Sequence, residues 1–139
     1  MSMLNIEMRI TQMREWRVSL DVRLRPDSAC KPVDFKVDSG CNTVLLSHVS
    51  LKLLGMRTIQ EELGRLPKKE ANIATGEIRT FKSLGKVALS LGGVSIGEFD
   101  AICHPTRQTK DLLGSNVLMA CKNLGFKFGD MSYMTMELL

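Results

Sequence analysis

Hydrophobic and polar residues alternate along several segments of the chain. Between Arg14 and Arg25 the apolar residues occupy every second position, at Trp16, Val18, Leu20, Val22 and Leu24. The segments 33–37 and 84–91 repeat this pattern. A period of two places successive side chains on opposite faces of a strand, so these segments predict half-buried strands. The turn formers at 26–29 predict a hairpin between the first two strands, and the glycines at 92–93 predict a two-residue hairpin turn after the third.

Two short segments predict helices. The segment 47–55 has Ser47 in a favourable N-cap position and Gly55 as a C-terminal stop. The residues expected on its buried face are Val49, Leu53 and Leu54. The segment 116–124, closed by Gly125, predicts a second helix.

The rest of the chain is mostly β-like. Short apolar segments that predict further strands lie at 44–46, 71–74, 78–81, 94–102, 126–128 and 133–138. The charged segment 60–69 contains a proline and predicts a loop. Many short strands with frequent turns and two small helices predict an all-β barrel or sandwich. We expect one domain over residues 1–139, with residues 1–13 as a flexible N-terminal extension.

Composition narrows the class of protein. The chain has 139 residues, 44% hydrophobic and 24% charged, which is ordinary for a globular domain with a real core. No apolar run approaches the length of a membrane span, and no secretory signal is evident, so we expect a cytoplasmic protein without a membrane partner. A fragment cut from a larger precursor would share these features. The net charge of +4 is modest, and one Trp, one Tyr and five Phe are too few for a base-stacking surface, so we expect no nucleic-acid partner.

The four cysteines and two histidines do not form a metal-binding pattern. No Cys-x-x-Cys is present, and His48 and His104 are far apart in sequence. We therefore expect no metal and no cofactor. Free thiols are expected, because a reducing compartment disfavours disulfides.

One loop carries candidate catalytic chemistry. Asp38, Ser39 and Gly40 follow an apolar strand and precede the apolar segment 43–47. Asp, Ser and Gly are also common in simple turns, so the tripeptide alone is weak evidence. Much later, Leu112-Leu113-Gly114 supplies two apolar residues and a glycine that can pack behind such a loop. The order and spacing of the two motifs favour a catalytic loop over a simple turn.

The chain resembles the retropepsin-like aspartic peptidases from Trp16 to its C-terminus. The resemblance implies a closed acid-protease-like β-barrel lobe that forms a homodimer, with Asp38 as the catalytic residue and Ser39 and Gly40 completing its motif. It identifies Leu112, Leu113 and Gly114 as the structural support of the site. The residues that it assigns to a substrate-binding flap are Ile73, Ala74, Thr75, Gly76 and Glu77.

The chain departs from the family pattern at three positions. Ser39 replaces the commoner Thr, Cys41 stands where retroviral members have Ala, and Ser115 stands where they have an Arg that supports the dimer. The segment 135–138 is expected to serve as a dimer-interface strand, as chain ends do in the family.

These observations predict an aspartic endopeptidase. Two Asp38 carboxylates, one from each subunit, would share one proton and activate a water that attacks the peptide bond. The expected substrate is an extended peptide or protein segment. Two alternatives stay open: a non-proteolytic dimerisation or peptide-binding module of the same fold, and an unrelated small β-barrel that binds nucleic acid.

Overall fold

The protein is described by a computed structural model that covers residues 2–10, 15–72, 78–120, 123–126 and 132–138. Strands dominate this part of the chain. The strands are β1 (Ser2–Ile10), β2 (Trp16–Arg23), β3 (Lys31–Val37), β4 (Val44–Leu45), β5 (Lys68–Asn72), β6 (Ile78–Leu91), β7 (Val94–Cys103), β8 (Leu112–Leu113), β9 (Asn123–Phe126) and β10 (Ser132–Leu138). The helices are α1 (His48–Leu53), α2 (Ile59–Gly64) and α3 (Ser115–Leu118). The predicted mostly-β class is confirmed.

All ten of these strands belong to one hydrogen-bonded sheet. Its order is β5-β6-β7-β4-β8-β3-β2-β1-β10-β9, and β6 also pairs with β2. The pairings from β6 through β7, β4, β8, β3 and β2 therefore return to β6. The two shortest strands, β4 and β8, lie side by side within this ring. Strand β8 therefore lies between the end of β3 and β4.

The alternating segments form the walls of the core, as their pattern predicts. Val18, Leu20 and Val22 of β2 are buried, and Val18 lies opposite the fully buried Phe35 of β3. The turn between β6 and β7 is also confirmed, because Leu91 pairs with Val94 across two glycines. Both glycines have positive φ, at 57° and 82°. Such a turn matches the right-handed twist of the strands that it joins.

The N-terminal segment is part of the sheet. Residues 2–8 pair with β10, and residues 9–10 pair with β2. Ile6 and Met8 are buried, and Arg9 donates a hydrogen bond of 2.6 Å to the Asp34 carboxylate. Residues 2–10, expected as part of a flexible extension over 1–13, are thus paired within the sheet. The partner strand β10 lies at the other end of the chain, so no local pattern could predict this pairing.

Helix α1 begins and ends where the sequence predicts, but it presents a different face to the core. The Ser47 hydroxyl accepts the Ser50 N–H at 3.1 Å, and Gly55 adopts a φ of 108° after the helix. The buried residues are Ser50, Leu51 and Leu54. Val49 and Leu53, expected to be buried, are 57% and 59% exposed. The prediction is confirmed for Leu54 and wrong for Val49 and Leu53, because Ser50, a buried serine with a hydrogen-bonding partner, takes a core-facing position.

The other two helices differ from the prediction. The segment 60–69, expected as a loop, contains most of α2, in which Ile59 and Leu63 are spaced by four residues and buried. Helix α3 ends at Leu118, so the predicted helix over 116–124 is wrong in its second half. There, Leu124 pairs with Met134, and pairing with β10 replaces the helix. No helix in the described part of the chain is long and apolar enough to cross a membrane.

Candidate active site

Asp38 stands directly after β3, at the start of a tight loop. Its N–H donates to the Leu113 carbonyl at 3.0 Å, which continues the parallel pairing of β3 with β8. Its carboxylate Oδ1 accepts the Gly40 N–H at 2.9 Å. This bond closes the loop on itself, because the side chain takes the place of a backbone acceptor. The Asp38 backbone is therefore held by β8, and its side chain is held by its own loop.

Strand β8 lies behind this loop. Leu112 and Leu113 pair with Lys36 and Val37 of β3 in parallel, and Leu112 also pairs with Leu45 of β4 in antiparallel. Leu113 is fully buried in the main core. Because β8 is paired along both edges, it holds the end of β3 on one side and β4 on the other. It therefore fixes both ends of the Asp38 loop.

Gly114 is the point of closest approach between β8 and the loop. A Cβ at this position would lie 2.3 Å from the Thr43 carbonyl oxygen and 2.7 Å from the Thr43 backbone nitrogen. No side chain fits at such distances from backbone atoms. The next residue, Ser115, donates its N–H to the Cys41 carbonyl at 2.7 Å. The glycine thus lets two backbone segments cross in contact, and the crossing is hydrogen-bonded.

Cys41 fills the space inside the loop. Its side chain is buried and its thiol donates to the Thr43 carbonyl at 3.1 Å. Burial raises the pKa of the Cys41 thiol, and the negative charge of Asp38 raises it further. Burial also raises the pKa of Cys103 to about 11. Cys30 is an exposed free thiol, and Cys121 lies outside the described residues.

The open side of the loop faces away from β8. Ser39 and Gly40 are exposed, and Asp38 is half-buried. A groove of about 200 Å³ is lined by Asn42 of this loop and by Glu70, Ala71 and Ile78. The last three residues belong to β5 and β6, which form an antiparallel hairpin as expected. The groove therefore lies between the candidate loop and the last described residues of that hairpin, at the end where β5 connects to β6.

The residues assigned to the flap connect β5 to β6. The last described pair of the hairpin is Asn72 with Ile78. Ile73, Ala74, Thr75, Gly76 and Glu77 lie outside the described residues. Their expected role stays a prediction.

Two polar residues near the site were not singled out from the sequence. The Asp111 carboxylate accepts the Ser47 N–H and the Ser50 hydroxyl, both at 2.7 Å. His104 Nδ1 accepts the backbone N–H groups of Thr106, at 3.2 Å, and Arg107, at 2.8 Å. Asp111 stands immediately before the Leu-Leu-Gly motif, and this adjacency was the one available signal. The Asp111 bonds join residues 61 and 64 positions apart and leave no local pattern, whereas the His104 bonds lie within three residues of it.

The environment of His104 is unfavourable for a positive charge. Burial lowers its pKa below the usual 6.5, and the charges of Arg107, His48 and Arg79 lower it further. The His48 ring nitrogen Nε2 lies 2.7 Å from the His104 carbonyl oxygen. The neutral form of the His104 imidazole, whose Nδ1 can accept hydrogen bonds, is therefore the form that fits the loop after β7.

The described part of the chain contains no cluster of metal-ligating side chains. Within that part of the chain, no group of three or more His, Cys, Asp or Glu residues could hold a metal ion. The described loop itself offers the Asp38 carboxylate, the neighbouring Ser39 hydroxyl and the backbone groups around them.

Comparison with solved structures identifies the fold. The crystal structure of a retropepsin-like aspartic protease from Rickettsia conorii is similar, with a TM-score of 0.68, over 97% of this chain and 92% of that chain. Sequence identity is 12%. No protein-family model and no curated protein sequence matches the chain. The chain thus has the retropepsin-like fold that its motifs predict, at a sequence distance where the fold alone carries over.

Proposed function

We propose that this chain is an aspartic endopeptidase and that it works as a homodimer in which each subunit supplies one Asp38. The observation that carries the proposal is the support of the Asp38 loop. Asp38 is held from Leu113 and Gly40, and Gly114 crosses the loop at a distance that excludes any side chain. A simple surface turn needs no such support. Here a half-buried carboxylate is fixed at the end of a strand, in a loop whose Asn42 lines a groove.

The reaction needs two carboxylates in one site. One chain contains one Asp-Ser-Gly motif, so the second carboxylate would come from Asp38 of the partner subunit. Two carboxylates about 3 Å apart cannot both ionise easily, and they hold one proton between them. The ionised group takes a proton from a bound water, which attacks the peptide carbonyl, while the protonated group donates to the carbonyl oxygen. The two protons titrate as a pair.

The rest of the loop has consistent roles in this dimer. The exposed Ser39 hydroxyl is available to bond the partner loop across the two-fold axis. The ring of strand pairings acts as a closed barrel behind the cleft. An extended peptide would lie between the loop and the β5–β6 hairpin, along the groove lined by Asn42, Glu70 and Ile78. Backbone pairing with such a peptide gives affinity, and side-chain pockets give selectivity.

The proposal is tested by cleavage of a diverse peptide library from acidic to neutral pH. Wild type, Asp38→Asn and the surface control Asp27→Asn are compared side by side. We expect cleavage by wild type and by Asp27→Asn, and a loss of about 100-fold or more in Asp38→Asn, because the variant lacks the acid–base group. Equal cleavage by all three proteins would refute the role of Asp38. No cleavage by any of them, with peptide still bound, would instead support the non-proteolytic peptide-binding module.

A further inference from the structure

Asp111 accepts three hydrogen bonds from two different segments around the candidate active site. Its backbone carbonyl accepts the Lys36 N–H at 2.9 Å, near the end of β3. Its carboxylate Oδ1 accepts the Ser47 N–H at 2.7 Å, and Oδ2 accepts the Ser50 hydroxyl at 2.7 Å. Ser47 and Ser50 are the N-cap and a first-turn residue of α1. One residue therefore joins β3, the start of β8 and the start of α1.

The two serines that donate hydrogen bonds to the Asp111 carboxylate are buried, and they are also hydrogen-bonded to each other. Ser47 is 5% exposed and Ser50 is 6% exposed. The Ser47 hydroxyl donates to the Ser50 hydroxyl at 3.1 Å and accepts the Ser50 N–H at 3.1 Å. Hydrogen bonds to an ionised acceptor are stronger than those between neutral groups. Removal of the carboxylate would leave the Ser47 N–H and the Ser50 hydroxyl buried without their acceptor, which costs more than the bond itself.

The position of these bonds in the chain gives them a role at Asp38. The Asp38 loop begins at the end of β3 and continues into β4, which leads within two residues to Ser47. Asp111 therefore anchors the segment before the loop through Lys36 and the segment after it through Ser47. Two residues beyond Asp111, the Leu113 carbonyl accepts the Asp38 N–H. The carboxylate is thus a brace between the two ends of the loop and the strand behind it.

We infer that Asp111 is a positioning residue, whose carboxylate holds the Asp38 loop in the geometry that the shared site requires. The inference rests on the proposed function. Asp38 must meet its partner within a fraction of an ångström for one proton to be shared, so the two ends of its loop must be held firmly. Loss of the brace lowers the rate of the chemical step and leaves substrate affinity nearly unchanged, because three of the four groove residues, Glu70, Ala71 and Ile78, belong to β5 and β6.

The test compares three variants with wild type in steady-state kinetics. Asp111→Ala removes both carboxylate bonds, Ser50→Ala removes one of them, and Asp27→Ala is an exposed control. We expect kcat to fall about 10- to 100-fold in Asp111→Ala, since a misplacement of about 1 Å can cost this much. KM should stay within about twofold of wild type. Ser50→Ala should show a smaller effect in the same direction, and it decides the question if Asp111→Ala does not fold.

A second measurement does not depend on cleavage. Alkylation by iodoacetamide, located by mass spectrometry, reports the opening of the loop at the buried Cys41. The buried Cys103 on β7 reports general unfolding, and the exposed Cys30 reports reagent activity. We expect Asp111→Ala to accelerate alkylation of Cys41 severalfold more than that of Cys103.

The outcomes separate the two proposals. A rise in KM with kcat unchanged, equal acceleration at both buried thiols, or behaviour equal to Asp27→Ala would each overturn the positioning role. If wild type cleaves no peptide, the proposed function fails, and the alkylation of Cys41 alone judges whether Asp111 holds the loop.

Discussion

Gly114 shows how a single residue allows the backbone behind the loop to pack against the loop. A Cβ there would meet three backbone atoms of Thr43 at 2.3 to 2.7 Å. Backbone atoms cannot move aside as a flexible side chain can. We therefore expect Gly114→Ala to lower the free energy of unfolding by about 3 kcal/mol or more, since overpacking of this kind forces the backbone to shift. Urea denaturation followed by circular dichroism measures the change.

Gly64 provides the matched control. It is the last residue of α2, and a Cβ added there meets nothing within 4 Å. Gly64→Ala should therefore be neutral or stabilise the protein by up to about 1 kcal/mol, because alanine favours the helix. A Gly114→Ala protein as stable as Gly64→Ala would show that the loop and β8 do not cross in contact.

The sequence predicts some site residues because their chemistry is local. Asp38, Ser39 and Gly40 are adjacent, and Leu112, Leu113 and Gly114 form a compact motif, so order and spacing suggest that the two groups meet. Asp111 could not be assigned a role in this way. Its carboxylate acts on Ser47 and Ser50, and only the folded chain brings these groups together.

At the scale of elements, α1 provides a direct comparison of two adjacent leucines. The amphipathic pattern predicts that both Leu53 and Leu54 are buried, whereas Leu53 is 59% exposed and Leu54 is fully buried. We expect Leu54→Ala to lower the free energy of unfolding by about 2–5 kcal/mol through the cavity that it creates. Leu53→Ala should change it by no more than about 0.5 kcal/mol. Urea denaturation measures both changes. Similar losses of unfolding free energy in the two variants would show that Leu53 is packed in the core, as the amphipathic pattern predicts.

The loop after β7 should respond to pH through His104. Its Nδ1 accepts two backbone N–H groups, and the pKa of the imidazole is lowered from its ordinary value. A group with a lowered pKa in the folded state stabilises the protein above the unfolded pKa of about 6.5. This contribution is lost as the pH falls through the lower folded pKa. Stability should therefore decrease on acidification below about 6.5.

His104→Asn isolates this contribution. An asparagine oxygen can accept the same two N–H groups and does not titrate in this range. The melting temperature of wild type and variant, measured at intervals from neutral to acidic pH, should fall more steeply in wild type. Parallel curves would show that other groups, such as carboxylates, account for the whole acid dependence.

The elements differ in how well the sequence predicts them. Strands with strict alternation, such as β2, are predicted because an apolar or polar residue at each position indicates whether its side chain is buried or exposed. Helix α2 was missed because its two buried residues, Ile59 and Leu63, are separated by charged ones, and the charges suggest a loop. Strand β1 was missed because its partner, β10, is at the other end of the chain. Local patterns predict local structure, and long-range pairing needs the fold.

At the scale of the whole molecule, the two chain ends are joined in one part of the sheet. Strand β10 pairs with β1 along residues 132–138, whereas β9 covers its other edge only along residues 132–135. The backbone edge at 136–138 has no further strand within the described residues. The expected interface strand at 135–138 stays a prediction. A partner subunit could extend the sheet there, because an open edge presents unpaired donors and acceptors.

The proposed shared site makes activity depend on dimer concentration. A monomer holds one Asp38 and no complete pair of carboxylates, so specific activity should fall as the protein is diluted below the dissociation constant of the dimer, with an inert protein added to prevent surface loss. Sedimentation velocity over the same concentrations should show dissociation in step with the loss of activity. An excess of the Asp38→Asn chain should inhibit wild type, because mixed dimers contain one carboxylate. Activity that stays proportional to wild-type concentration while the protein sediments as a monomer, and that the variant does not reduce, would refute the shared site.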